Sequence, residues 1–192
     1  PLVNRLIERG IIRGEAVVQA IAQDLLAHTP ANVRCEACRL FVTPYLAYRV
    51  DTGDLDMVEI SQEFHFAASH RLHCEAFSAE KNREIFGKCN NPSGHGHNYV
   101  FEVTLAGQPD PATGVVASLP YVEKVVNEQI VERFDHKYLN ADCPDFAELN
   151  PSVENISRVI WKLLDGRFSS ARLSRVRVWE TPKTYAECTG EE

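Results

Sequence analysis

Apolar and polar positions along the chain change period several times, and each change marks an element. Leu2, Leu6 and Ile7 share one helical face, Gly10 and Gly14 punctuate, and Val17, Val18, Ile21 and Leu25 repeat at helical spacing. The spacing predicts helix across residues 1–28, arranged as a helical hairpin. From His28 to Asp56 the period breaks among Pro30, Pro44, Cys35, Cys38 and the turn-like Asp51-Thr52-Gly53-Asp54, and a boundary is expected near Asp56. Phe64, Phe66, Ala68 and His70 then alternate with His65, Ala67 and Ser69, the period of a strand.

A long loop is expected from about Cys74 to Ser93, ending in the turn-forming Asn90-Asn91-Pro92-Ser93-Gly94. His95, His97, Tyr99, Phe101 and Val103 alternate as a second strand that runs to about Ala106, and Gln108–Gly114 reads as a turn. Ser118 can cap a helix whose stripe is Leu119, Val122, Val125, Val126 and Ile130. The polar stretch Asp135–Asp145 ends it. Another helix starts near Pro151 and Ser152, with Glu154 in its first turn and Ile156, Ile160, Leu163 and Leu164 facing a core, and Gly166 closes it. Val176, Val178 and Glu180 alternate in a third strand, and Thr184–Cys188 returns as a fourth. From residue 57 onward the order is strand, strand, helix, helix, strand, strand.

Composition narrows the setting. A chain of 192 residues with 44% apolar and 24% charged residues has enough apolar surface for a packed core of one domain with an appendage. The net charge of −7 excludes a global positive field for nucleic acid or an anionic membrane. Apolar runs such as Val17–Ala22 fall far short of the roughly 20 residues of a membrane span. Six scattered cysteines, with no signal peptide before them, point to a reducing, cytoplasmic location.

Chemistry concentrates in the histidines. His95 and His97 lie two apart on a predicted strand, so both rings leave one face and can chelate. A catalytic zinc needs three protein ligands and an open position, and His70, at the end of the preceding strand, is the best third ligand. Spacing alone leaves open a half-buried strand whose ring nitrogens are satisfied by neighbours; His65 and His73 are spare. Cys89, next to Lys88, reads either as an acidified thiol or as a small buried side chain. Asp135-His136 reads as a carboxylate-tuned base or as two loop residues, and Glu180 as a site carboxylate or a solvated charge. Cys35-Glu-Ala-Cys38 has no second pair to complete a structural zinc site and no thioredoxin-like context.

Five segments carry a resemblance: Phe66-Ala-Ala-Ser-His70-Arg-Leu72, Phe86-Gly-Lys-Cys89-Asn-Asn-Pro-Ser-Gly-His95-Gly-His97-Asn-Tyr99, Asp135-His136-Lys137, Val153-Glu154-Asn155 and Trp179-Glu180-Thr181. Together they resemble the 6-pyruvoyl-tetrahydropterin synthase family, from about Ser61 to Cys188. The resemblance implies an α+β tunnelling fold, a four-stranded antiparallel sheet with two helices on one face (ββααββ), carried by residues 57–192 after a mainly helical extension over 1–56. It implies a homohexamer of two stacked trimers with sites at subunit interfaces. It implies a carbon–oxygen lyase that uses Zn2+ to convert 7,8-dihydroneopterin triphosphate to 6-pyruvoyl-tetrahydropterin with loss of triphosphate. Carried over, His70, His95 and His97 are the zinc ligands and Cys89 the proton acceptor. Asp135 and His136 form a relay pair from a neighbouring subunit, Glu180 anchors the pterin, and Glu154 also contacts substrate. Arg71, Lys81, Arg83, Lys88 and Lys137 are open candidates for holding the triphosphate.

Two departures stand out: Ala117-Ser118-Leu119 replaces an Asn or Asp that relatives often place before the first helix, and residues 1–56 lie outside the family core. Leu6–Ile12 resembles the opening of protein isoaspartyl methyltransferases, without the glycine-rich loop that would follow. Two alternatives stay open: the related 6-carboxytetrahydropterin synthase of queuosine biosynthesis, and a non-catalytic pterin-binding scaffold.

Overall fold

The computed structural model describes residues 13–190, so the predicted helix over Leu2–Ile12 lies outside the described residues. Helix α1 spans Gly14–His28 and buries Glu15, Val18 and Ala22, while Leu25 is left exposed. Beyond it, the segment expected to be irregular forms β1 (Ala37–Thr43) and β2 (Leu46–Asp51). Pro44-Tyr45 turns the chain between them, and β2 pairs antiparallel with β3 (Asp54–His70), setting Tyr48 opposite Ile60 and Val50 opposite Val58. β1 exposes Phe41, Val42 and Thr43 in succession and β2 buries Ala47 and Tyr48 in succession, so neither shows a period of two, which is why the sequence concealed them. β3 runs without a break through Asp56 and Met57, where the sequence texture changes.

The remaining strands are β4 (His95–Gly107), the two-residue β5 (Lys137–Tyr138), β6 (Arg172–Thr181) and β7 (Thr184–Cys188). They join one seven-stranded sheet in the order β1-β2-β3-β4-β6-β7, with β5 parallel to β3. The four expected strands are thus β3, β4, β6 and β7, and β1 and β2 extend the sheet.

The expected loop after Cys74 contains a helix, α2 (Ala79–Phe86), followed by a 3₁₀ turn over Gly87–Asn90. Ser78 caps α2 by accepting from the Lys81 N–H at 3.2 Å. Its inward residue is Asn82, fully buried, whose amide accepts from the Cys74 N–H and donates to the Cys74 carbonyl at 2.8 and 2.9 Å. A helix that buries an amide has no apolar stripe to read. Helix α3 (Leu119–Val126) continues through a π turn at Asn127–Val131 to a last turn at Glu132–Phe134. Helix α4 (Val153–Leu164), capped by Ser152, buries Val153, Ile156, Val159, Ile160 and Leu164. No helix among the described residues is long and apolar enough to cross a membrane.

Contacts divide the chain into two compact units. The first comprises the described residues up to Glu63, Val103–Val122 and Gly166–Ser174. Its core joins Val18 and Ala22 to Tyr48, Val50, Val58, Ile60 and Val116. The second comprises Phe64–Glu102, Glu123–Asp165 and the residues from Arg175 onward. Phe66 stacks on Tyr99 at 4.9 Å and Phe64 on Phe101 at 5.4 Å, a paired aromatic layer across β3 and β4.

Candidate metal centre and its surroundings

The second unit brings His70, at the end of β3, to His95 and His97, at the start of β4. Gly94 makes the approach possible: it has φ 68°, and a Cβ there would stand 2.9 Å from the His70 carbonyl oxygen. His70 is fully buried, and its Nδ1–H donates to the Pro151 carbonyl at 2.7 Å. A carbonyl only accepts, so the proton sits on Nδ1 and the Nε2 lone pair points inward. That Nε2 is 3.2 Å from His95 Nε2 and 3.3 Å from Glu180 Oε1, and the same carboxylate oxygen is 3.6 Å from His97 Nε2.

The three imidazole ligand atoms all lie within 4.8 Å of one another. His95 Nδ1, His97 Nε2 and the Tyr99 hydroxyl are buried without a hydrogen-bond partner. Burial pushes His70 and His97 below the ordinary imidazole range, so both are held neutral although Glu180 pulls the other way. Neutral imidazole lone pairs converging on one point suit a cation. Zinc at roughly 2.0–2.1 Å from each nitrogen sets tetrahedral ligand atoms about 3.3 Å apart, which matches the His70 contacts.

Cys89 sits in the 3₁₀ turn and is held by its carbonyl, which accepts from the Leu72 N–H at 2.8 Å. Burial pushes the thiol up, and the charge of Glu180 pushes it further; the neighbouring Lys88 does not reverse either effect. Of the two readings of Cys89 that the sequence leaves open, its surroundings favour the buried side chain.

Asp135 and His136 are pinned to β3 by two hydrogen bonds and joined to each other by a third. Asp135 Oδ1 accepts from the Ala67 N–H at 2.8 Å, the His136 N–H donates to the Ala67 carbonyl at 2.6 Å, and His136 Nδ1–H donates to Asp135 Oδ2 at 2.8 Å. The Ala67 N–H, ahead of the imidazole, holds the Asp135 carboxyl below its usual range. His136 adopts φ 58°, uncommon for a non-glycine residue, and its ring is 83% exposed. His97 and His136 line one open cleft of about 590 Å³, with Ser69, Lys137, Tyr138 and Asp142.

Residues 59–191 match the sequence model of the 6-pyruvoyl tetrahydropterin synthase family. The chain belongs to that family. A 6-pyruvoyl tetrahydrobiopterin synthase from Homo sapiens is 42% identical over 133 residues, 69% of this chain and 92% of the relative. The solved structure of the Caenorhabditis elegans 6-pyruvoyl tetrahydropterin synthase aligns with a TM-score of 0.67 at 36% identity, covering 70% of this chain and 96% of its own. A 6-carboxy-5,6,7,8-tetrahydropterin synthase from Bacillus subtilis is 27% identical over 66% of this chain and 82% of the relative. The synthase match therefore contains every residue of the histidine cluster, whereas α1, β1 and β2 precede it.

Within the family region, the structure brings together His70, His95, His97 and Glu180, with Cys89 in electrostatic reach of Glu180. It leaves Glu154 exposed in the first turn of α4, where its carbonyl accepts from Ser157 Oγ at 2.8 Å. Two residues escaped the sequence reading. Pro151 orients His70 through a backbone carbonyl, which no side-chain pattern can announce. Tyr99 packs its ring 5.5 Å from His97, and its burial and the charges of Glu180 and Cys89 push its ionisation up. Tyr99 could have been found, because it follows His97 by two on the same strand face. Cys35 and Cys38 are free thiols in the first unit, outside the site.

Proposed function

We propose that this chain converts 7,8-dihydroneopterin triphosphate to 6-pyruvoyl-tetrahydropterin with elimination of triphosphate, using zinc held by His70, His95 and His97. The observation that carries the reading is the convergence of three imidazoles, with the one fixed by Pro151 aiming its lone pair at the others. Bound zinc supplies a Lewis acid for the oxygens of the substrate side chain. The chain does the rest. Cys89 takes a proton from a side-chain carbon, and its raised ionisation makes it depend on that cation to form a thiolate. Asp135 fixes the His136 tautomer with Nε2 free, so His136 can move a second proton as the side chain is oxidised and the ring reduced. The C–O bond to triphosphate breaks in the same sequence, and no external oxidant is needed.

Glu180 accepts the paired N–H donors of the pterin ring, and exposed Glu154 offers a second carboxylate to substrate. The protein assembles as a hexamer of two stacked trimers, in which Asp135 and His136 serve a neighbour's zinc. Six free thiols support a cytoplasmic setting.

Incubating the zinc-loaded protein with 7,8-dihydroneopterin triphosphate and identifying the product tests the reading. 6-Pyruvoyl-tetrahydropterin is expected. A 6-carboxy product, or no turnover with pterin bound, overturns it in favour of the related synthase or a binding scaffold.

A further inference from the structure

Beyond His70 the chain leaves the sheet, and asparagine side chains take over much of the pairing that a neighbouring strand would have given residues 71–74. Arg71 exchanges both backbone bonds with Asn140, at 2.8 Å each. The His73 N–H donates to Asn150 Oδ1 at 3.0 Å, and Cys74 exchanges both of its bonds with Asn82. Leu72 is held differently. Its N–H donates to the Cys89 carbonyl at 2.8 Å, and its carbonyl accepts from Asn90 Nδ2 at 2.7 Å. A carbonyl only accepts, so the amide nitrogen of Asn90 must face it. The second hydrogen of that nitrogen goes to His73 Nδ1 at 3.0 Å, where the Arg71 guanidinium also donates at 3.2 Å. Asn90 is only 8% exposed, and both of its donors are committed.

Leu72 follows His70 by two residues, and Asn90 follows Cys89 by one. The two bonds at Leu72 therefore tie the thiol-bearing turn directly to the end of β3. Apolar packing does not supply that tie, since α2, the helix leading into the turn, buries only Asn82. Resting on the proposed role of Cys89, we infer that Asn90 is a positioning residue for the proton transfer, its amide holding the turn so that the Cys89 thiol meets the substrate carbon beside the histidine cluster. Asn90 itself touches neither substrate nor cation. A reacting group displaced by about 1 Å can lose on the order of 10²-fold in rate, so a turn without its clamp should be slow even where the fold survives. An aspartate in this place keeps the shape but sets a carboxylate against two acceptors, the Leu72 carbonyl and His73 Nδ1, and is repelled by both.

The test measures kcat and KM for 7,8-dihydroneopterin triphosphate, with zinc content and thermal melts, in Asn90→Asp, Asn90→Ala, Cys89→Ala and the double variants that add each Asn90 change to Cys89→Ala. In either Asn90 variant kcat should fall about 10- to 10²-fold, with KM and zinc per folded chain unchanged. On the Cys89→Ala background neither change should lower the residual rate further, because no thiol is left to place. Asn90→Ala carries the test alone if the buried charge of Asn90→Asp prevents folding. Full wild-type kcat, a loss confined to KM, or loss of zinc would each overturn the inference while leaving the proposed function standing. So would costs that multiply on the Cys89→Ala background, the mark of a purely structural role. A wild type without turnover, or a Cys89→Ala variant as fast as the wild type, overturns the proposed roles themselves and this inference with them.

Discussion

Two sets of buried polar groups, one in each unit, make a contrast. In the first, Glu15 is almost wholly buried inside an apolar core, and its carboxylate accepts the Val116 N–H at 3.2 Å; Ser61 and Thr104, also buried, share a hydrogen bond at 3.0 Å. Those polar groups fasten elements to one another. In the second, His97 Nε2, His95 Nδ1 and the Tyr99 hydroxyl are buried beside each other with nothing to bond. A buried unpaired polar atom costs on the order of 1–3 kcal/mol, so three on alternate residues of one strand mark a place built for a missing partner. Satisfied buried polarity reads as architecture, and unsatisfied buried polarity as a site.

Breaking the site without touching the scaffold should give the largest effect. Cys89→Ala should cut turnover by about 10²- to 10⁴-fold and leave zinc content intact, because a positioned base contributes in that range and the thiol is not one of the three imidazole ligands. Metal analysis beside steady-state rates checks both halves; a fully active variant would move the base elsewhere. His136→Gln should fall at the lower end of the same range, about 10²-fold. Mixing subunits of the two inactive variants should restore measurable turnover, since the relay pair of one chain then serves the metal and thiol of another.

Breaking the scaffold should do the reverse. A Cβ on Gly14 would stand 2.3 Å from the buried Tyr48 ring. Gly14→Ala should therefore destabilise the first unit by about 1–3 kcal/mol, the usual cost of overpacking, with zinc binding per folded chain unchanged. Thermal melts with parallel zinc titration separate the two; a variant that loses zinc while folded would erase the contrast between the units.

The smallest effect is one of pH. His70 and His97 are held below their ordinary values when folded, so the unfolded chain binds more protons as acid is added. Stability of the metal-free protein should be full above the unfolded imidazole value of about 6.5 and fall as pH drops toward the depressed folded values. Zinc should survive below the range in which free imidazole would release it. Denaturant melts of metal-free protein across this window check the slope; a stability that rises in acid would reverse the assignment.

Much of the second unit was legible because its chemistry obeys strand periodicity. His95 and His97 share a face by alternation, α4 shows its apolar stripe and its Ser152 cap, and the four family strands appear in order. What stayed hidden depends on contacts distant in sequence. The Pro151 carbonyl meets His70 across 81 positions, and Ala67 holds Asp135 across 68. In the first unit, β1 and β2 were missed because neither alternates buried and exposed residues, and in the second α2 was missed because its buried face is an asparagine. The state of the Cys89 thiol stayed open for a related reason: Lys88 is adjacent in sequence, but burial and Glu180 dominate in space.

Titrating metal-free protein with Zn2+ by calorimetry, for the wild type and for His97→Ala, tests the central claim most directly. One ion per chain should bind the wild type, and His97→Ala should lose that site, because two remaining imidazoles are too few for a stable catalytic centre. Binding of the same stoichiometry and strength in His97→Ala, or none in the wild type, would contradict the account of the unpaired histidine nitrogens as a metal centre.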